Sequence, residues 1–217
     1  MAVMTDILSH SHVGSVDVLL MTDRRRSNPL TVAMVHQLRK AIEATRPPNV
    51  VVLASDARNF CTGGDHKEYE ELDPAQRTSF IADAVALFES FSDSSLSSVA
   101  AVHGGAIGGG LELALRCDFI VAAEDSWFQF PQVALGSPLN QTSAALLLSR
   151  TGMGLARKIS FRGQRIPAVE ARDGGLVDFM VPRDELRDTA VALATELAAQ
   201  PQENLAGIRR VLNRAVV

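Results

Sequence analysis

Cysteine is scarce: Cys61 and Cys117 are the only two in 217 residues. Such a pair makes no disulfide framework and points to a reducing cytoplasm. No apolar run approaches the roughly 18 residues that a membrane helix needs. The opening MAVMTDILSHSH is too polar for the apolar segment of a secretory leader, so neither membrane insertion nor export is expected. Aromatic residues make up 5% of the chain and the net charge is −4, which leaves few stacking platforms and no basic stripe for nucleic acid. No repeat, linker or low-complexity stretch divides the sequence, and its length predicts one domain over 1–217. Apolar residues are plentiful, at 47%, enough to bury a sizeable core.

Taken in order, residues 1–12 read as a frayed end, and Val13 to Met21 as a first strand with Val16, Val18 and Leu20 on one face. The turn from Thr22 to Pro29 holds Arg24, Arg25 and Arg26. Thr31 to Ala44 carries Met34, Leu38 and Ile42 on one helical stripe, and Arg46-Pro47-Pro48-Asn49 breaks it before the strand Val50 to Ala54. Asp73-Pro74 opens a helix with Asp as N-cap and Pro in the first turn. Ser92 to Ser98 reads as a serine-rich turn. Strands follow at Ser98 to Val102, Asp118 to Ala122 and Trp127 to Phe130, then a loop from Val133 through Pro138 to Asn140. Helical patterns at Thr142 to Ser149, Leu155 to Phe161 and Ala168 to Asp173 precede a strand at Leu176 to Val181. Two last helices span Arg183 to Ala199 and about 202–216. This alternation predicts an α/β fold of two sheets with helices outside, its core over about 13–181 and its helical end over about 183–217.

The chemistry gathers at His103 to Asp118, HGGAIGGGLELALRCD, with five glycines in seven residues ahead of good helix formers. Strand, glycine turn and helix then follow one another. The first N–H groups of such a helix have no partner within it and sit at its positive end, where anions bind. Neither the G-x-G-x-x-G spacing nor a following G-K-[ST] is present, so neither nucleotide fingerprint is met. Glu112 stands in the first turn instead. Backbone donors beside a carboxyl group suit an enolate oxyanion with proton transfer next to it. A second glycine turn, Asn59 to Asp65 (NFCTGGD), follows the apolar strand ending at Ala54, so two such loops offer two donors.

These two segments resemble the enoyl-CoA hydratase/isomerase, or crotonase, superfamily. F-C-T-G-G-D is similar to that family's F-[SA]-A-G-x-D loop, and the HGGAIGGGLELALRCD run to its G-x-x-x-G-G-G-x-E-L-A-x-x-C-D segment. Weaker similarity extends from about Val13 to the C-terminus. The resemblance implies a crotonase-like fold of repeated ββα units with C-terminal helices that mediate contacts in a homotrimer or dimer of trimers. It implies that the Thr62 and Gly109 N–H groups hold a thioester carbonyl, with Gly63, Gly64 and Gly108 around them, and that Glu112 is an acid–base carboxylate. The substrate is then an acyl-CoA or acyl-carrier thioester. Coenzyme A enters as part of the substrate, so no separate cofactor is expected. Arg24, Arg25 and Arg26 fall where the family approaches the nucleotide of coenzyme A, and charge-assisted contacts to its phosphates follow. His66, Lys67 and Tyr69 are candidates for holding a substrate carboxylate or donating a proton, in a polar loop. Ser137 and Asn140 are candidate polar contacts.

One position departs from the family. Its second glutamate lies twenty residues beyond the first, after F-x-x-P; here Phe128, Gln129, Phe130 and Pro131 lead to Gln132. An amide hydrogen-bonds a water but exchanges no proton with carbon. A hydratase/isomerase-like lyase with one carboxylate is the leading reading, with Gln132 positioning water or substrate. A malonyl-type thioester decarboxylase and a non-catalytic accessory subunit stand as alternatives. Cys61, His66 and His103 match no ligand-spacing pattern, and no metal is expected in the chain.

Overall fold

The computed structural model describes residues 3–4, 7–93, 96–137 and 139–216. The chain begins with β1 (Val3–Met4), β2 (Leu8–Val13) and β3 (Val16–Met21), joined antiparallel. The expected frayed end is therefore largely paired. LSHSHV buries little beyond Leu8, so its composition hides a strand paired along its whole length with β3 and, at Ser9 and His10, with β1.

Four ββα units follow, each a long strand, a short strand and a helix. The first is β3, β4 (Pro29–Leu30) and α1 (Val32–Ala44), whose N-cap Thr31 accepts the Met34 N–H. The second is β5 (Val50–Ser55), β6 (Gly63–Gly64), α2 (His66–Glu71) and α3 (Pro74–Asp93). Asp73 and Gln76 exchange side-chain-to-backbone bonds at 2.9 Å at the start of α3, a capping box. The third is β7 (Ser98–Val102), β8 (Gly105–Ile107) and α4 (Gly109–Arg116). The fourth is β9 (Phe119–Ala123), β10 (Trp127–Gln129), α5 (Gln132–Leu135) and α6 (Gln141–Phe161). Non-helical φ/ψ at Gly152 divides α6 where the sequence predicts two helices. Of the expected loop before α6, three residues, Val133 to Leu135, belong to α5; Pro138, like Ser94 and Ser95 of the serine-rich turn, lies outside the described residues. The remainder is β11 (Ile166–Pro167), α7 (Ala168–Asp173), β12 (Phe179–Val181), a 3-10 turn (Arg183–Glu185), α8 (Leu186–Ala198) and α9 (Gln202–Val216).

The long strand of each unit joins β1, β2 and β12 in one seven-stranded sheet, β1-β2-β3-β5-β7-β9-β12, parallel from β3 onward. The short ones pair as β11-β10-β8 and β4-β6. Both faces of the large sheet are buried, which explains why its central strands read as continuous apolar runs. One face turns Leu19, Leu53, Ala100 and Ile120 toward the core under α1, α3 and α4. The other turns Val18, Val52, Val99 and Val121 toward Leu186, Ala190 and Ala194. Those three residues repeat every four along α8, so the helix lays a single stripe on the sheet. The core thus extends past residue 181 into the helical end. Among the described residues no helix is long and apolar enough to cross a membrane.

Candidate functional site

Because β5 and β7 are neighbours in the sheet, the loops leaving their C-terminal ends lie side by side. Backbone bonds lock them together: Phe60 N–H to His103 O at 2.9 Å, Cys61 N–H to Gly105 O at 3.2 Å, and Ile107 N–H to Cys61 O at 3.0 Å. Asn59 adds a side-chain strut, its Oδ1 accepting the Gly105 N–H at 2.9 Å. Two glycines set how closely the loops meet. A Cβ on Gly63, whose φ is +81°, would stand 2.6 Å from Ile107 O and 3.0 Å from the Gly109 nitrogen. A Cβ on Gly110 would stand 2.3 Å from Cys61 O. The first loop therefore rests directly on the N-terminus of α4. Among the described residues, neither the Thr62 nor the Gly109 N–H finds a backbone acceptor.

Glu112 lies on the first turn of α4 and is 8% exposed. Burial raises its carboxyl above the usual range; the Ser143 hydroxyl and the Arg116 charge pull the other way without cancelling it. The Ser143 O–H donates to Glu112 Oε2 at 2.8 Å. Ser143 is itself fully buried on α6. A carboxyl group shifted upward in this way is suited to trade protons near neutral pH. Ser143→Ala removes a bond to the ionised form, so the acid limb of the pH–rate profile should move to higher pH. Turnover on the acid side of the profile should therefore drop, while a threonine substitute should restore the limb.

Gln132 opens α5, and its Nε2 lies 3.8 Å from where a Cβ on Gly108, the N-cap of α4, would be. Among the described residues its Oε1 is buried without a hydrogen-bond partner. A buried amide oxygen in such a place is costly unless something satisfies it. From Gln132 an apolar groove of about 430 Å³ runs along α6, walled by Phe130, Leu139, Leu147, Met153 and Phe161.

The other predicted residues divide. Arg24 donates to Asp56 at 2.5 Å, and Arg26 to Asp23 at 3.2 Å and to Asp65 at 2.6 Å; both side chains are mostly exposed. Arg25 is exposed as well. The arginine turn is thus tied through Arg26 to the first donor loop, because Asp65 closes that loop and caps α2. His66 and Lys67 are exposed on α2, a helix where the sequence suggests a polar loop, since Asp65 accepts the Glu68 N–H and starts it. Tyr69 packs 6.2 Å from the Phe80 ring with Arg77 over its face, and so is already engaged within the fold. Asn140 is exposed and spends its Oδ1 on the Thr142 and Ser143 N–H groups as the cap of α6. It therefore positions Ser143. Ser137 is exposed at the edge of the apolar groove, and Gly64 is exposed on the first loop.

Cys61 is fully buried and its thiol is pushed up to about 12, which removes the thiolate a nucleophile needs. The buried His103 holds its proton on Nε2, 2.7 Å from Ala57 O, and desolvation lowers its pKa. It braces the first loop as a neutral donor.

Two positioning residues went unseen in the sequence: Ser143, 31 residues from its partner, and Asn28. Asn28 is fully buried at φ 54°, a region asparagine tolerates. Its Nδ2 donates to Ser55 Oγ at 2.7 Å and Phe60 O at 3.1 Å, and its Oδ1 accepts the Asp23 N–H at 2.8 Å. Asn28→Ala orphans these groups and strains the backbone, so urea unfolding should show a loss of about 2–4 kcal/mol. Asn28→Gly should lose less, since it avoids the strain.

The sequence profile of the enoyl-CoA hydratase/isomerase family matches residues 12–217. The 2,3-dehydroadipyl-CoA hydratase of Escherichia coli is 32% identical over 204 residues, covering 91% of this chain and 79% of that protein. An enoyl-CoA isomerase/hydratase of Mycosarcoma maydis is 36% identical over 154 residues, 70% of this chain; the match spans 55% of the relative, little more than half its length. The crystal structure of enoyl-CoA hydratase from Bacillus anthracis superposes with a TM-score of 0.87 at 26% identity, over 94% of this chain and 81% of that one. The ββα repeats are those of the crotonase fold, and the chain belongs to the enoyl-CoA hydratase/isomerase family.

Proposed function

We propose that this protein acts on an acyl-CoA, or acyl-carrier, thioester through an enolate, with Glu112 as its single catalytic carboxylate. The observation that carries the reading is the contact between the two loops, which sets Gly63 against the Gly109 nitrogen one turn before a buried glutamate. In this reading the Thr62 and Gly109 N–H groups take the charge that develops on the thioester oxygen. Each donor lowers the barrier by about 3–4 kcal/mol in a water-poor site. Glu112 removes the proton from the carbon beside the thioester and returns it at the far end of the conjugated system. A single carboxylate completes that shift, with no net change in atoms. Water addition across a 2-enoyl double bond passes through a different enolate held at the same two donors: Glu112 takes a proton from the water held by Gln132 as its oxygen bonds the β-carbon, and returns that proton to the α-carbon. The apolar groove beside Gln132 takes the acyl chain.

Arg24, Arg25 and Arg26 remain the proposed phosphate contacts, the first and last by exchanging aspartate partners for phosphate. The exposed Ile208, Val211 and Leu212 of α9 support assembly into a homotrimer or a dimer of trimers. The two free buried thiols fit a reducing, cytoplasmic setting.

Mass spectrometry of 2-enoyl-, 3-enoyl- and malonyl-CoA incubated with the protein in deuterium oxide tests the reading. Deuterium uptake with isomerisation or water addition is expected. Loss of carbon dioxide would move the assignment to the decarboxylase. No mass change with any substrate would contradict it and favour an accessory subunit.

A further inference from the structure

The first hairpin carries a side-chain cluster that thioester chemistry does not use. His10 and His12 are two residues apart on β2, so both rings leave the same face of the strand. Asp17 stands opposite His12 in β3. His10 Nε2 is 3.2 Å from Asp17 Oδ1, and His12 Nδ1 meets the same oxygen. All three donor atoms lie within 4.8 Å of one another.

The surroundings fix the carboxylate and leave the imidazoles accessible. Asp17 is 1% exposed, and its Oδ2 accepts the Asn49 side-chain N–H at 3.1 Å. Its other oxygen is thereby aimed at both rings. The side chains of His12 and His10 are 47% and 19% exposed, so solvent reaches the cluster from the histidine side. The location is remote from the glycine loops. Asp17 sits near the start of β3, whereas those loops follow the opposite, C-terminal ends of the parallel strands β5 and β7.

We propose that His10, His12 and Asp17 form a binding site for a first-row divalent metal ion of the zinc type. Two imidazole nitrogens with one carboxylate oxygen suit zinc or cobalt and do not suit magnesium or calcium, which take oxygen ligands. Bonds of about 2.0–2.1 Å in a tetrahedron put ligand atoms roughly 3.3 Å apart. Closing the present spread to that calls for a turn of the half-exposed His12 ring. Water completes the tetrahedron on the open side. Asn49 is the positioning residue behind the metal, holding the unligated carboxylate oxygen. Bound there, the ion clamps β2 to β3 and stabilises the native state by mass action.

The test uses the full chain, stripped with a chelator and titrated with zinc by calorimetry, with cobalt by visible absorption, and with magnesium as the control. One zinc per chain, cobalt bands typical of tetrahedral coordination, a raised Tm and no response to magnesium are expected. His10→Ala and His12→Ala should each weaken zinc by at least about tenfold, and Asn49→Ala by about 10–100-fold. His12 is exposed enough for its variant to fold, which keeps the comparison interpretable. Absence of one-to-one zinc binding, or zinc binding that persists unchanged in the His10→Ala/His12→Ala double variant, would overturn the proposal.

Discussion

Glu112→Gln is expected to lower turnover by about 10²–10⁴-fold while leaving thioester affinity within a few-fold. The amide keeps the shape and still accepts the Ser143 hydroxyl, so binding geometry survives; what is lost is the proton carrier. Steady-state kinetics should therefore show the defect in kcat with little change in KM, the pattern of an interaction used in the transition state. The same substitution should raise stability, in a pH window set by the direction of the shift. Burial raises the Glu112 carboxyl in the folded chain above its unfolded value. The protonated form thus favours folding below the unfolded pKa, and that contribution disappears as pH rises through the folded one. Glu112→Gln and the wild type should melt alike at about pH 4, and the variant should melt higher at pH 8. Equal melting temperatures at both pH values would mean that the carboxyl is not strained by its burial.

Gly110→Ala should be as damaging through geometry alone. The new methyl would fall 2.3 Å from Cys61 O and 2.7 Å from Cys61 Cβ, both part of the first loop. Backbone at that distance cannot yield without separating the two loops, which carries the Gly109 N–H away from Thr62. A misplacement of about 1 Å costs on the order of 10²-fold in rate. Overpacking of a dense core adds about 1–3 kcal/mol of lost stability. The control is Gly207→Ala on α9, where a Cβ meets nothing within 4 Å. That change should stabilise by about 0.5–1 kcal/mol through helix propensity alone. Comparing kcat/KM and urea midpoints for the two variants separates a glycine needed for contact from one that is not.

What could be read from the sequence was local. Helix α1 announced itself through the stripe of Met34, Leu38 and Ile42, α3 through Asp73 as its cap, and α4 through the change from glycines to Leu111, Glu112 and Leu113. The central strands were legible because both sheet faces are buried, which makes each strand a continuous apolar run. Strand β2 was missed for the opposite reason: Leu8 alone is buried in LSHSHV, and the polar remainder looks like solvated chain. Strands β4 and β6, two residues each, and β8 within the glycine turn lack the length for any period.

The site follows the same division. Glu112 and Gly110 lie in one motif and carry their meaning within it. The Ser143–Glu112 bond and the Asn59–Gly105 bond join residues 31 and 46 positions apart, and only folding brings them together. Asn140 looked like a substrate contact because a helix cap and a binding group use the same amide; the structure gives it the cap. His10, His12 and Asp17 span a hairpin whose first strand was itself unrecognised, so their convergence had no frame in which to appear.

Exchange of the protons beside the thioester carbonyl tests the central claim most directly. Butyryl-CoA, incubated in deuterium oxide with the wild type and with Glu112→Gln, can be followed by NMR with no net reaction needed. Formation of the enolate by one buried carboxylate beside two backbone donors predicts deuterium at that carbon with the wild type, at a rate about 10²-fold or more above the variant. Binding of butyryl-CoA without exchange, or equal exchange by both proteins, would contradict it.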